Sequence, residues 1–510
     1  MKFFEIQNPG IRDRLRYNIL PSDAEKSAIQ LSIEYAQSRL AEIASETSEE
    51  QQSRAALQEY ISDCSSLLAP IRQLSIEILQ LILADPDIHD TKWIGTYRVA
   101  RATPILWSSF QVSLRRPQWS DLQLIRTRLE LSKKAPLTIS FNAGYMYPED
   151  ESPELRLHTQ AVKEIMAEFL LEAERWACLV LPFEYDVMAL LSPAQGRLLR
   201  LEALGFGRYV GRQERIEIFN DAPKLRSLAL GDVKILHNLP LDSLPWGQLS
   251  HLSTPFLSKP FAEVILERSP QLHALVLYAA HSAYLDTPDP DPPRRSPELR
   301  TVVLNGLQSK HLSCLDVLGS MDTPALKEIY LSECWAWNPL SIPALLQRSG
   351  CSLETLVLEQ SRVRPPELLA LFPAVASLGT LALVDNAPNA VTNIMVQALT
   401  PGAQDVLMLP SLHTLVLRGT YFCSTDKLLD LLESRMRFRR PLINIDIALS
   451  DRELRTPDLD RLAAFVGRGA EATYSSSVIS IHAGDPGRNV GYLHPEVLDV
   501  SRNVVYNADE

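Results

Sequence analysis

From about residue 220 the chain repeats one phrase, L-x-x-[LIV]-x-L. It stands at Leu225-Leu228-Leu230, Leu272-Leu275-Leu277, Leu299-Val302-Leu304, Leu326-Ile329-Leu331, Leu353-Leu356-Leu358, Leu378-Leu381-Leu383 and Leu412-Leu415-Leu417, with a weaker copy at Leu249. Starts at 272, 299, 326 and 353 are 27 residues apart, and the next follows after 25. A phrase of six residues that alternates apolar and variable positions reads as a strand with one buried side. One strand and one helix cannot bury their leucines alone, so such units stack on their neighbours into a solenoid.

The 27-residue step lies in the 20 to 29 span of leucine-rich repeats. Segments with helical periodicity fall between the strands, at 261–268, 312–319, 342–347, 367–372 and 425–433. The fold class expected is α/β, a leucine-rich-repeat solenoid of parallel strands and helices over 136–470. Its early members are degenerate: a helix over 160–171 and strand phrases at 175–181 and 198–206. Two places depart from the plain repeat. The sequence DTPDPDPPRR over 286–295 predicts a surface loop, and the 34-residue interval from Leu378 to Leu412 predicts an insertion around 400–405. After 470 the periodicity stops, which predicts a poorly ordered tail with one strand at 478–481.

Composition supports a repeat more than an enzyme. Proline (35) outnumbers glycine (20), which disfavours folds that cradle phosphates on glycine-rich loops. Pro223, Pro270, Pro297, Pro324 and Pro410 each stand two residues before the first leucine of a phrase, where a fixed φ ends the preceding segment and no ladder donor is lost. The chain lacks G-x-x-x-x-G-K-[ST], H-E-x-x-H, G-x-S-x-G and kinase signatures. The nearest glycine-rich phrase, Gly205 to Gly211, has one residue too many for G-x-G-x-x-G. Ten histidines are dispersed, and six cysteines form no C-x-x-C. No catalytic residue, cofactor or metal is expected.

A formal net charge of −12 argues against a nucleic-acid partner, which needs a dense basic face. The arginines at 435, 437, 439 and 440 follow a helix and read as complements to its negative C-terminal end. No apolar run reaches membrane-spanning length, so no membrane partner is expected. The N-terminus lacks a signal-peptide pattern, and neither a disulfide framework nor an Asn-x-Ser/Thr acceptor is present. An intracellular location in cytoplasm or nucleus is expected.

What remains is a binding surface. Residues between the leucines face the other, concave side of the sheet. A ladder of Val276, Val303, Tyr330, Val357, Ala382 and Val416 runs there, beside a second of Tyr278, Asn305, Ser332, Glu359, Val384 and Arg418. The candidate target-binding residues are Val276, Tyr278, Val303, Asn305, Tyr330, Val357, Glu359, Val416 and Arg418. An exposed apolar stripe marks an interaction site; β-branched residues also suit strands in their own right, or another segment covers them.

The N-terminal part reads as helical. Ser22 with Glu25 forms a capping box, and Ile29, Ile33, Ala36, Leu40 and Ile43 then make a seam. A polar stretch interrupts it, and the seam returns in phase as Leu57, Ile61, Cys64, Leu68 and Ile71. One long helix, or a hairpin broken near Thr47 or Ser48, satisfies this pattern over 21–68.

Residues 69–110 carry two further phrases. Pro70-Ile71-Arg72 with Leu74, Glu77, Ile78 and Leu79 resembles the opening of the F-box-like proteins abundant in mushroom-forming fungi. Val99-Ala100 with Thr103-Pro104 and Leu106-Trp107-Ser108 is similar to that family's closing phrase. The preceding helix and following repeats also match the family's layout. The resemblance implies a substrate receptor of an SCF-type cullin-RING ubiquitin ligase. The adaptor subunit would bind Pro70, Ile71, Leu74, Glu77, Ile78, Leu79, Pro104, Leu106 and Trp107, and the repeats would hold an unknown target protein. Ser75 stands where the family has proline, and 15 residues separate Leu83 from Val99, where the family fits a second helix. The resemblance therefore implies a truncated F-box-like region over 69–110. The other reading is a repeat-based interaction scaffold with a vestigial F-box and no ubiquitin link.

Overall fold

The computed structural model describes residues 23–42, scattered positions between 54 and 65, 104–113, 119–142, 153–181, 190–207, 217–231, 244–255, 266–278, 294–306, 318, 321–333, 340–386, 390–402, 408–419, 422–437, 442, 444–449, 455–466, 471–474 and 478–482. The chain divides into two compact units, residues 1–109 with 123–136, and residues 110–122 with 137–510.

The second unit is a single-sheet repeat. Its strands are β1 (Ser109–Ser113), β2 (Leu137–Asn142), β3 (Trp176–Leu181), β4 (Ala203–Phe206), β5 (Ser227–Leu230), β6 (His251–Pro255), β7 (Ala274–Tyr278), β8 (Thr301–Asn305), β9 (Glu328–Ser332), β10 (Thr355–Glu359), β11 (Thr380–Val384), β12 (Thr414–Gly419), β13 (Asn444–Leu449), β14 (Glu471–Tyr474) and β15 (Val478–His482). The first thirteen lie side by side in chain order and run parallel, which makes the protein an α/β leucine-rich-repeat-like solenoid. β15 then pairs antiparallel with β13, and β14 antiparallel with β15, so the direction of pairing reverses at this end. These two strands fall where the sequence predicts a tail with one strand.

The repeated phrase explains the register. Leu275, Val302, Ile329, Leu356, Leu381, Leu415 and Ile445 align across adjacent strands. So do Leu277, Leu304, Leu331, Leu358, Leu383, Leu417 and Ile447, and every member of both rows is buried. Each such side chain contributes roughly 1.5–3 kcal/mol of transfer free energy, and a one-residue slip would turn both rows to the other face.

The prolines find their reason one step before the strands. The amide of the first leucine of a phrase closes a turn on the residue three positions earlier: Leu225 on Ala222, Leu272 on Ser269, Leu299 on Ser296, Leu326 on Thr323 and Leu412 on Leu409. Pro223, Pro270, Pro297, Pro324 and Pro410 therefore occupy the second position of these turns, where a φ near −65° is already required.

Five described helices follow strands in the later repeats, at Ser341–Ser349, Pro365–Leu371, Asn393–Leu399, Thr425–Met436 and Thr456–Val466. The first, second and fourth cover the segments predicted at 342–347, 367–372 and 425–433. The Asn393–Leu399 helix occupies the long interval that reads as an insertion; Thr392 caps it by accepting from the Met395 amide at 3.4 Å. Most of 261–268, 312–319 and the loop 286–295 lies outside the described residues. Arg294–Arg295 form a two-residue strand parallel to Met321–Asp322.

Arginines tie the repeats together. Arg435, fully buried, donates to the carbonyls of Leu399 (2.7 Å), Leu409 (2.9 Å) and Met408 (2.6 Å). Arg348 donates to those of Met321 and Leu318, and Arg197 to those of Leu170 and Leu171. Leu170, Leu171 and Leu399 end helices, whose last carbonyls lack intrahelical partners, while Met321, Met408 and Leu409 lie outside helices; the guanidinium forks reach all of them across the repeat boundary. Burial pushes the Arg435 pKa down to about 10, so the group remains charged at neutral pH. The sequence predicts Arg435 as a complement to the end of its own helix; its guanidinium instead bonds carbonyls of other segments, of which only Leu399 ends a helix.

The early repeats are packed with aromatics. Phe169, on the helix Pro153–Leu171, meets Phe110 and Phe141 edge to face at 5.1 and 5.4 Å, and its carbonyl accepts from Trp176 Nε1 at 3.2 Å. The start of the glycine-rich phrase lies against β5: a Cβ on Gly231 would lie 2.7 Å from the backbone of Phe206 and Gly207, so the close approach of β4 and β5 requires glycine.

In the first unit, the helix Asp23–Glu42 buries Ile29 and Ile33 together with Cys64, against Tyr60 and Ile61. Ile33 and Cys64 would stand about 46 Å apart along one continuous helix, so the two seams lie side by side. Among the described residues, no helix is long and apolar enough to cross a membrane.

Candidate functional site

The face of the sheet opposite the leucines carries three rows of side chains in the later repeats. The middle row follows the strand register: Val180, Gly205, Ala229, Ser253, Val276, Val303, Tyr330, Val357, Ala382, Val416 and Asp446. Its burial is not uniform. Val180, Ala229, Ser253, Val276, Val303, Ala382 and Val416 are all 3% exposed or less, and Gly205 is buried as well. Tyr330 and Val357 are only half-buried. Between Val180 and Val416 the row therefore opens at one place, a window over β9 and β10.

The rows on either side are polar around this window. Glu328, two residues before Tyr330, accepts from the Thr301 hydroxyl at 3.1 Å and the Tyr330 hydroxyl at 3.4 Å, all through Oε2. Glu359, two residues after Val357, accepts from the Ser332 hydroxyl at 3.1 Å. Burial, with the neighbouring Glu328 charge, raises the Tyr330 pKa above its ordinary value, so the phenol keeps its proton and serves as donor. Hydroxyls from the same or adjacent strands thus fix both carboxylates, and no cation pairs with either among the described residues.

Nearby charges are already paired. Arg418 reaches Asp446 at 2.7 Å, and Lys327, just before Glu328 in sequence, reaches Glu354 at 2.7 Å. Across the three rows of β7 to β13, Arg418 is the one cation, against Glu328, Glu359 and Asp446. The two carboxylates beside the window are those left without a countercharge.

The predicted target-binding residues divide accordingly. Val276, Val303 and Val416 are buried, the first two packed with Ala274 and Tyr330. Tyr278 donates its hydroxyl to the Leu230 carbonyl, Asn305 is half-buried and Arg418 is held by Asp446. Tyr330, Val357 and Glu359 come together at the window. Glu328, Thr301 and Thr355 belong to the same surface and were missed by a reading that took two of the three outward positions; strand alternation places them on that face.

Of the predicted adaptor-binding residues, Pro70, Ile71, Leu74, Glu77, Ile78 and Leu79 lie outside the described residues. Pro104, Leu106 and Trp107 are half-buried in a 3-10 turn, Pro104–Trp107, which the Ser108 hydroxyl closes on the Ile105 carbonyl at 2.7 Å. No family model matches the chain, and no curated protein matches it.

Proposed function

We propose that this protein is a non-enzymatic recognition receptor whose repeats hold a target protein at the Tyr330–Val357 window, and whose F-box-like segment attaches that target to the adaptor of an SCF-type cullin-RING ubiquitin ligase. The observation that carries the first half is the opening of an otherwise buried ladder between two carboxylates that have no countercharge. A half-buried tyrosine and a half-buried valine, flanked by fixed acceptors, offer apolar contact area with orienting polar groups, the composition of a protein-binding patch. The second half rests on the two phrases at 70–79 and 99–108, in the order of the family they resemble.

Tandem purification of the full chain from its native cell tests both halves. The adaptor is expected to co-purify with the wild type and to be lost with Leu74→Asp or Leu79→Asp, while Tyr330→Asp releases the target and leaves the adaptor. The 15 residues between Leu83 and Val99 favour the second reading, a scaffold without a ubiquitin link. Target retention by a wild-type chain that never brings down the adaptor would select it.

A further inference from the structure

The window has a definite chemistry and a definite length. Glu328 is level with Thr355 in the β9–β10 register, and Glu359 lies four residues further along β10. At 3.3–3.4 Å per residue, the two carboxylates flank the Tyr330–Val357 pair over about 13 Å along the strand direction. An extended peptide presents alternate side chains to a surface at the same spacing. Its residues i, i+2 and i+4 would fall on Glu328, on Tyr330 with Val357, and on Glu359.

Resting on the receptor reading above, we infer that the window takes an extended segment of the target with the pattern basic–x–apolar–x–basic. Charge complementarity selects the ends: the local cations Arg418 and Lys327 are paired with Asp446 and Glu354, which leaves Glu328 and Glu359 to meet lysine or arginine. Hydroxyl donors already hold one oxygen of each carboxylate, so little side-chain freedom is lost when a cation arrives. The half-buried Tyr330 ring and Val357 receive the apolar side chain, and the tyrosine face also favours an adjacent cation.

Fluorescence anisotropy of the full-length protein with two labelled peptides tests this, one containing Lys-Ser-Val-Ser-Lys and the other Glu-Ser-Val-Ser-Glu. The basic peptide is expected to bind at least about tenfold more tightly than the acidic one, and to weaken several-fold between 50 and 300 mM salt, as screened charge pairs do. The double variant Glu328→Gln with Glu359→Gln keeps the hydroxyl hydrogen bonds and is expected to lose about tenfold in affinity for the basic peptide. Asp446→Asn, which removes one carboxylate outside the window, is expected to change it less than about twofold. Equal binding of the two peptides, or unchanged binding by the double variant, overturns the inference. If Tyr330→Asp still releases the native target while the double variant retains it, the receptor reading stands and the basic segment alone is rejected.

Discussion

The early and late repeats build the same sheet by different means. From β3 to β6 the core includes Trp176, Phe206 and Phe219, the last two in edge contact at 5.6 Å, and the middle row is small and buried: Gly205, Ala229, Ser253. From β8 to β12 the core is rows of leucine, and larger residues occupy the middle row at Tyr330 and Val357. The strand exits differ as well. Gly207 and Gly231 donate their amides back to the preceding strand, at Leu181 and Phe206. Gly306, Glu333, Gln360 and Asp385 donate forward, to Ser332, Glu359, Val384 and Arg418.

Alternation along a parallel strand sends successive amides to opposite neighbours, so the later strands simply end on a residue of the other parity. There Gly306, Glu333, Gln360 and Asp385 all have positive φ, between 45° and 69°, which bends the chain that follows out of the strand. Three of the four are not glycine and carry the cost of that conformation. The regular late repeats thus accept backbone strain at three of these exits, and the window opens among them.

Substitutions break this contrast to different degrees. The largest effect is expected at Arg435→Leu, which removes the fully buried donor to the carbonyls of Leu399, Met408 and Leu409 and should destabilise the Thr425–Met436 region by roughly 3–5 kcal/mol. The corresponding early residue, Arg197, has a side chain about one-third exposed, and Arg197→Leu should cost only about 1 kcal/mol. Hydrogen exchange resolved by peptide reads both; equal losses would erase the distinction between the regions.

Next comes Gly231→Ala in the early repeats. Its Cβ would meet the backbone of Phe206 and Gly207, which cannot yield as a side-chain tip does, so a loss of about 1–3 kcal/mol in thermal unfolding is expected. Alkaline titration probes the window itself. Because the Tyr330 pKa is raised in the folded protein, the unfolded chain releases that proton first. The contribution is complete below about pH 10 and declines as pH rises beyond it. Tyr330→Phe should therefore lose less stability than the wild type between pH 10 and 11 in urea titrations. The smallest effect is a gain: Glu333→Gly or Gln360→Gly relieves a left-handed residue and should stabilise by about 0.5–1 kcal/mol.

Much of the sheet is legible in the sequence because its period is carried by large apolar residues that have one buried side to occupy. The same holds for the turn prolines, whose φ is fixed by their covalent ring. The Asn393–Leu399 helix is not legible in that way: seven residues give a weak period, and its N-cap, Thr392, is one threonine among many. Asn386 is legible from its place in the repeat. It stands eight residues after Leu378, where the leucine-rich pattern places asparagine, and its side chain accepts from the Ser361 amide at 2.8 Å and donates to the Leu358 carbonyl at 2.7 Å.

The window was half legible. Alternation identifies Tyr330, Val357 and Glu359 as facing away from the leucines, but burial depends on what surrounds each strand, so Val303 and Val357 look alike in sequence and differ in exposure. Nor does spacing disclose that Arg418 meets Asp446, a partner 28 residues away that leaves Glu328 and Glu359 unpaired.

Cysteine labelling tests the central claim, that between Val180 and Val416 the middle row opens only at β9 and β10. In the native protein, after subtraction of the native thiols, Val357→Cys should react with a maleimide at least about tenfold faster than Val303→Cys, with Ala382→Cys as slow as the latter. Equal rates at 303, 357 and 382 would contradict the account.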